Sequence, residues 1–261
     1  MSNTRQIRTI PVYEQLPRPI WARPERWDEQ GSATPWHSHA WGQFSYAAQG
    51  ILTVQTEHAS YVSPPHYGIW VPEGVTHQVV SDGAATMNSL YIESQVLPGV
   101  GWDAPFVCVI SPLFRELIIR FCQMPALYEL ASAQERLAMV LLDELQLQER
   151  VSLELPMPND RRIRVLCQQL QAEPAHRWSV EQWGQHIGLS GRSVSRLFVK
   201  QTGLTFQQWR QRLRFIYALN LLEQGTVVTE VALRCGYDSV SAFGEAFKKQ
   251  FGCTPGQFFH H

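Results

Sequence analysis

Shifting the last part of the chain by 49 residues lays it on itself: Ser190, Phe198, Lys200, Gln201, Gly203 and Thr205 fall on Ser239, Phe247, Lys249, Gln250, Gly252 and Thr254. A repeat at a fixed offset means two copies of one supersecondary unit. Each copy runs through the same order of signals. A helix-patterned stretch holds a small residue (Gly184, Ala232), then come a turn glycine (Gly188, Gly236), a serine suited to capping (Ser190, Ser239) and a second amphipathic stretch ended by Gly203 or Gly252. Serine before the first periodic residue and glycine after the last are helix start and stop signals. Helix, short glycine turn and helix make a helix-turn-helix, in which the small residue permits close packing and the capped helix enters a DNA major groove. Phe206–Glu223, between the copies, reads as a helix of 18 residues. At ~1.5 Å per residue it spans about 27 Å, a connector able to hold two recognition helices about one DNA turn, roughly 34 Å, apart on one face.

Charge divides along the same line. Residues 1–155 carry nine Arg and no Lys against 16 acids, net -7, while residues 156–261 carry 13 basic residues against seven acids, net +6. Such a reversal points the C-terminal half toward a polyanion. Pro156-Met157-Pro158-Asn159-Asp160 is a proline-stiffened linker at the changeover. Upstream, Ser111-Pro112 opens a run with Leu113, Leu117, Ile118 and Phe121, and Ser132-x-x-Glu135 is a capping-box pattern before Leu137, Val140, Leu141 and Leu145. Two amphipathic helices are expected, at 111–122 and 132–149, which either pair two copies of the chain or cover the N-terminal domain. From Gly42 to Ile92, short β-branched and aromatic runs are punctuated by Gly50, Pro64-Pro65, Pro72-Glu73-Gly74 and Ser81-Asp82-Gly83, the texture of a small all-β barrel or sandwich.

A chain of 261 residues with 44% hydrophobic content can bury an ordinary core, which excludes wholesale disorder and fibrous classes. No apolar run approaches the roughly 20 residues of a membrane span, and the first thirty residues lack a signal-peptide core. The five cysteines are odd in number, widely spaced and without C-x-x-C, so no disulfide framework or zinc knuckle is expected and a reducing cytoplasm fits.

About 100 C-terminal residues resemble the AraC/XylS family of transcription regulators. The match runs through Val231-Ala232-x-x-Cys235-Gly236-Tyr237-Asp238-Ser239-x-x-x-Phe243-x-x-x-Phe247-Lys248-Lys249-x-Phe251-Gly252-x-Thr254-Pro255, and in the first copy through Leu189-Ser190-x-Arg192-x-x-x-Arg196-Leu197-Phe198-x-x-x-Thr202-Gly203. The resemblance implies a monomeric unit carrying two helix-turn-helix motifs. The expected partners are double-stranded promoter DNA, a small-molecule effector, RNA polymerase and a second copy of the chain. Carried over by position, the groove-facing residues are Arg192, Ser193, Ser195 and Arg196 in the first recognition helix and Val240, Ser241 and Glu245 in the second, with Lys248 and Lys249 beside them. Glu245 stands where a basic residue is expected. An acid cannot contact phosphate or guanine acceptors, but it can accept from the cytosine amino group. Arg161, Arg162, Arg164, Arg210, Arg212 and Arg214 serve equally well as phosphate contacts or solvated charges. Phe198, Phe243, Phe247, Leu213, Tyr217 and Leu221 fall on single helical faces and are expected in the core.

Gly31-x5-His37-Ser38-His39-x3-Gln43-x6-Gly50, followed by Pro72-x-Gly74-x2-His77, resembles the two conserved stretches of the cupin superfamily. In metal-binding cupins the H-x-H pair, a Glu and a later His converge inside a small barrel. Alternate strand residues share a face, so His37 and His39 can point inward together, and imidazole suits zinc, nickel or iron. Gln43 replaces the Glu, and an uncharged amide binds a divalent cation more weakly than a carboxylate. Three readings stay open: a metal site, polar groups for an organic effector, or a vestige of the barrel signature. Trp36, Trp41 and Trp70 lie close by and suit a partly apolar effector or simple core packing.

The expected protein is α+β: a cupin-like effector-sensing β-barrel (1–104), a helical segment that links or dimerises (105–155) and a DNA-binding domain with two helix-turn-helix motifs (156–261). It regulates transcription without catalysis. The rivals are a metal-dependent cupin enzyme with an appended DNA-binding domain, which Gln43 argues against, and an architectural DNA-binding protein with an inert barrel. Binding one short operator far better than random DNA would exclude the last.

Overall fold

A computed structural model describes residues 5–10, 13–97 and 99–258. The chain divides into two compact units, Met1–Glu57 with Tyr61–Glu154, and Leu155–His261 with His58–Ser60.

In the first unit the turn residues delimit β1 (Gln6–Ile7), β2 (Ile20–Trp27), β3 (Ser32–Ala33), β4 (Gly42–Gln49), β5 (Leu52–Thr56), β6 (Ala59–Ser63), β7 (Tyr67–Val71), β8 (His77–Ser81), β9 (Ala85–Ile92) and β10 (Phe106–Val109). After α1 (Pro112–Cys122) and α2 (Ala133–Gln146) comes β11 (Arg150–Val151), and β12 (Glu154–Pro156) falls at the changeover, with Leu155 and Pro156 in the second unit. The strands form two six-stranded sheets, ordered β1-β3-β8-β5-β6-β12 and β11-β10-β7-β4-β9-β2. This corrects the expectation of a closed barrel: each sheet ends in short strands of two or three residues at one or both edges, which carry too little ladder to bridge to the other.

The second sheet sorts its residues by strand alternation. Phe44, Tyr46, Leu90 and Ile92 share one core cluster with Phe114, Ile118 and Phe121 of α1 and Ala138, Leu141, Leu142 and Leu145 of α2. The intervening residues Gln43, Ser45, Ser89 and Tyr91 are also buried, alongside apolar Ala47, Ile69, Val71 and Met87 on the same face, so the helices cover one face and the other carries a few polar groups within an apolar setting. Trp70 belongs to this core. Its ring lies 2.0 Å from where a Cβ on Gly42 would stand, so only glycine fits there.

Both helices begin as expected. Ser111 accepts from the Phe114 N–H with Pro112 at the first position, and Ser132 accepts from Gln134 and Glu135 N–H. The Glu135 carboxylate takes the Ala131 N–H at 2.6 Å instead of closing a box on Ser132. The apolar stripe of α2 is split: Leu141 and Leu145 are buried in the core, Leu137 is half-buried against it and Val140 is exposed.

The second unit is helical from α3 (Arg161–Ala172) through α4 (Val180–His186), α5 (Gly191–Thr202), α6 (Phe206–Glu223), α7 (Val228–Arg234) and α8 (Val240–Phe251). Leu155, Ile163, Leu166, Trp183, Val194, Phe198, Phe206, Trp209 and Leu213 form one core, and the Trp209 indole N–H donates to the Pro156 carbonyl at 2.7 Å. Phe243 and Phe247 are fully buried, as is Leu221 nearly so, whereas Tyr217 is only half-buried and is not a core residue. No helix among the described residues is long and apolar enough to cross a membrane.

Candidate functional site

The imidazole cluster is assembled by backbone pairing. His37 and His77 form an isolated antiparallel bridge, exchanging N–H···O bonds of 3.0 and 2.8 Å. Two residues on, His39 shares the face of His37, and its carbonyl accepts from the Gly74 N–H at 2.9 Å, which ties in the Pro72-Glu73-Gly74 turn. Gln43 enters from β4, opposite Tyr91 and Val71 in the ladder. Each of the three histidines offers a ligating nitrogen, all within 4.8 Å of one another. The structure thus brings together the four residues that the spacing singled out.

The chemistry of this donor set is specific. His37, His39 and His77 each place Nδ1 against a backbone carbonyl, of Pro35 at 3.0 Å, Trp41 at 2.6 Å and Val75 at 2.9 Å. A carbonyl only accepts, so the proton sits on Nδ1 and the lone pair on Nε2. Nε2 of His39 and of His77 then meets the Gln43 Oε1, at 2.9 and 3.3 Å. Lone pair faces lone pair. Two arrangements relieve that conflict: the amide turns over, so that NH2 serves the imidazoles and Oε1 accepts from the Ser45 hydroxyl, 2.9 Å away, or a cation takes all the lone pairs at once. Protonation is a poor third, because burial holds all three histidines below the usual range, His77 down to about 3. Neutral imidazoles with Nδ1 anchored on carbonyls are what a divalent metal requires.

Beside the cluster lies a cavity of about 660 Å³, lined among others by Arg8, Tyr13, His37, His39, Trp41 and Tyr91. The Trp41 ring stacks on His39 at 5.5 Å and 5°, and Tyr91 meets His39 edge-on at 5.7 Å. Of the three tryptophans flagged in the sequence, Trp41 alone lines this cavity; Trp36 is exposed and Trp70 is core. Arg8, Tyr13 and Tyr91 were not singled out from the sequence. The only available signal was the alternation that puts Tyr91 on the same face of β9 as Ser89, opposite Leu90 and Ile92.

In the second unit, α4 starts in a reciprocal capping box of Ser179 and Gln182. A Cβ on Gly184 would stand 2.6 Å from the Leu189 carbonyl, so the small residue is what lets α4 and α5 close. Turns at Gly188 and Gly236 have φ of +73° and +75°. Ser190 and Ser239 cap α5 and α8, accepting from the N–H three residues on. Arg192, Ser195 and Arg196 on α5, and Val240, Ser241, Glu245, Lys248 and Lys249 on α8, are all exposed. Ser193 is half-buried, with its hydroxyl 2.9 Å from that of Ser190 and its N–H used by the cap.

Four of the six arginines have partners as follows. Arg210 donates to the Trp178 carbonyl at 3.0 Å and lies over Phe206, and Arg214 donates to the Pro174 carbonyl at 3.1 Å and lies over Tyr237, so both clamp the fold from half-buried positions. Arg162 pairs with Asp160, and Arg164 donates to the Pro158 carbonyl at 3.1 Å.

Residues 23–155 match the family of the AraC-like ligand binding domain, and residues 183–261 a helix-turn-helix domain family. The chain is 37% identical over 228 residues to the HTH-type transcriptional regulator NimR of Escherichia coli K12, covering 86% of this chain and 82% of that one. It is 32% identical over 128 residues to the arabinose operon regulatory protein of the same organism, covering 48% of this chain and 44% of that one. Among solved structures, the DNA-binding domain of AdpA in complex with a target DNA is 28% identical, over 37% of this chain and 88% of that one, with a TM-score of 0.36.

Proposed function

The chain belongs to the AraC family of transcriptional regulators, with a ligand-binding β domain and a helix-turn-helix DNA-binding domain, and from that premise we propose how its residues divide the work. DNA is read by the exposed faces of α5 and α8, through Arg192, Ser195, Arg196, Val240, Ser241 and Glu245, with Lys248 and Lys249 on phosphates and Ser193 confined to capping. The effector enters the cavity beside Trp41, Tyr13 and Tyr91. Its apolar part meets these rings, and its polar end, or a divalent ion of the zinc, nickel or iron group, meets His37, His39, His77 and Gln43. The observation that carries this is the convergence of three imidazoles, their ligating nitrogens within 4.8 Å of one another and Gln43 within reach of two of them, beside the cavity. A bound ion would supply a Lewis-acidic centre that accepts a donor atom of the effector.

The β domain acts as a sensor and not as a catalyst, because Gln43 occupies the place of the carboxylate that a metal-dependent cupin enzyme would use. The protein works in the cytoplasm as a homodimer, through the exposed side of α2 around Val140, and regulates RNA polymerase at a promoter. Occupancy of the cavity changes the affinity or position of the DNA-binding unit, a coupling between two sites.

The test is sequencing of DNA bound by the purified protein, together with elemental analysis of the same preparation and of a His37→Ala, His39→Ala, His77→Ala variant. One enriched operator, metal or effector response in the natural chain, and loss of that response but not of the operator in the variant are expected. A fragment beginning at Leu155 should bind the same operator with affinity that falls steeply as salt rises. Binding that ignores sequence, or a triple variant that responds like the natural chain, overturns the reading.

A further inference from the structure

We propose that Glu245 reads a cytosine in the second major groove, so that the operator is asymmetric: guanine opposite α5, cytosine opposite α8. This inference rests on the reading of α5 and α8 as the DNA-contacting helices. It begins from how closely the two helices correspond. Both have 12 residues, both start on a capping serine, and both end in a left-handed glycine, Gly203 with φ +71° and Gly252 with φ +76°. Their buried pairs, Val194 and Phe198 in α5 and Phe243 and Phe247 in α8, are separated by the same 49 residues as the caps. The exposed faces therefore correspond residue by residue. Arg192 falls on Ser241, Ser195 on Gly244, Arg196 on Glu245 and Val199 on Lys248.

At one equivalent position the charge is inverted. Arg196 and Glu245 are both exposed, and among the described residues the side chain of neither makes a hydrogen bond or ion pair. Arginine presents donors and suits the O6 and N7 acceptors of guanine; glutamate presents only acceptors and suits the N4 amino group of cytosine. On a surface that approaches phosphates a carboxylate is repelled unless it finds such a donor. Lys248 and Lys249, one turn on, supply the phosphate attraction that keeps α8 docked.

The neighbouring glycine accounts for reach. Gly244 lies in the middle of α8, where glycine is destabilising relative to alanine. Among the described residues no steric contact requires it, since a Cβ there would meet no atom within 4 Å. Glutamate has a shorter side chain than arginine, so the α8 backbone must come nearer the base edges than the α5 backbone, and a bare Cα next to Glu245 permits that approach. At the equivalent place in α5, Ser195 keeps its side chain beside the longer Arg196.

The experiment selects bound sequences from a randomised duplex pool, using the full-length protein and its Glu245→Gln, Glu245→Ala and Gly244→Ala variants, and then measures affinity for the selected sites. The natural chain is expected to prefer cytosine over other bases by roughly tenfold at one position of the α8 half-site. Glu245→Gln should move that preference to adenine, whose N6 and N7 match an amide. Glu245→Ala should erase it, with the α5 half-site unchanged in each case. Gly244→Ala should weaken the α8 preference while the melting temperature holds or rises, a combination that a purely structural glycine would not produce. Two results overturn the inference alone: an α8 half-site without base preference beside a clear α5 half-site, or Glu245→Ala tightening every sequence equally. Enrichment of no sequence at either half-site overturns the underlying reading as well.

Discussion

Replacing Gln43 by Glu exchanges an amide for a carboxylate of nearly the same shape at a position 2% exposed. The oxygen in question lies 2.9 Å from His39 Nε2 and 3.3 Å from His77 Nε2. At an effective dielectric of about 20, a full charge at about this range from a divalent ion gains on the order of 10 kcal/mol gross. Removing the carboxylate from water costs several kcal/mol. The remainder, a few kcal/mol, raises metal affinity by about two orders of magnitude. Without metal, the same carboxylate is a buried charge among three neutral imidazoles, which costs about 3–5 kcal/mol. For a chain of this size each kcal/mol moves Tm by about 2–4 °C, so the metal-free variant should melt roughly 6–20 °C lower than the natural chain. The two effects have opposite signs, and the gap in Tm between metal-loaded and metal-free protein should widen. Thermal unfolding of protein stripped by a chelator and reloaded with zinc, nickel or iron reads the gap, and titration calorimetry reads the affinity. A folded Gln43→Glu protein that binds metal no tighter and shows an unchanged gap refutes the reasoning, because the amide oxygen would then not face the ion.

Arg196→Ala removes an exposed guanidinium, so Tm should not move, while specific operator affinity falls by about 1–3 kcal/mol in a binding titration; unchanged affinity overturns the base contact. Leu141 is 0% exposed and Val140 47%, so Leu141→Asp should unfold the β domain, whereas Val140→Glu should leave Tm alone and shift sedimentation toward the monomer. An undisturbed dimer in Val140→Glu assigns α2 to covering the sheet alone. Metal-free protein should lose stability in acid: burial lowers His77 from 6.5 to about 3, and a group depressed in the folded state binds its proton preferentially when unfolded. That contribution is present above pH 6.5 and fades as pH falls toward 3, about 2 kcal/mol by pH 5. A urea midpoint that stays flat between pH 8 and 5 contradicts it. Metal should likewise leave only below pH 6.5, because the folded imidazoles resist protonation.

What the sequence determined by itself was local or periodic. The 49-residue repeat, the caps at Ser190 and Ser239 and the turn glycines need only neighbouring residues, so the paired helix-turn-helix units were legible with their boundaries. The two-residue period of His37 and His39, and the turn ahead of His77, were enough to gather the imidazoles. What the tertiary structure decided depended on which distant segments meet. Sheet closure depends on edge strands as short as two residues, below what a sequence pattern can register. The split of the α2 stripe into buried Leu141 and exposed Val140 depends on the angle at which the helix meets the sheet, which amphipathicity leaves free over a broad arc. Arg210 and Arg214 read as free cations until Trp178, Pro174, Phe206 and Tyr237 are seen to hold them. The cavity joins Arg8 and Tyr13 from the N-terminal segment to Trp41 and Tyr91, four residues spread over more than eighty positions. No local rule links them. Only the strand register that sets Gln43 opposite Tyr91 brings the rings to the imidazoles.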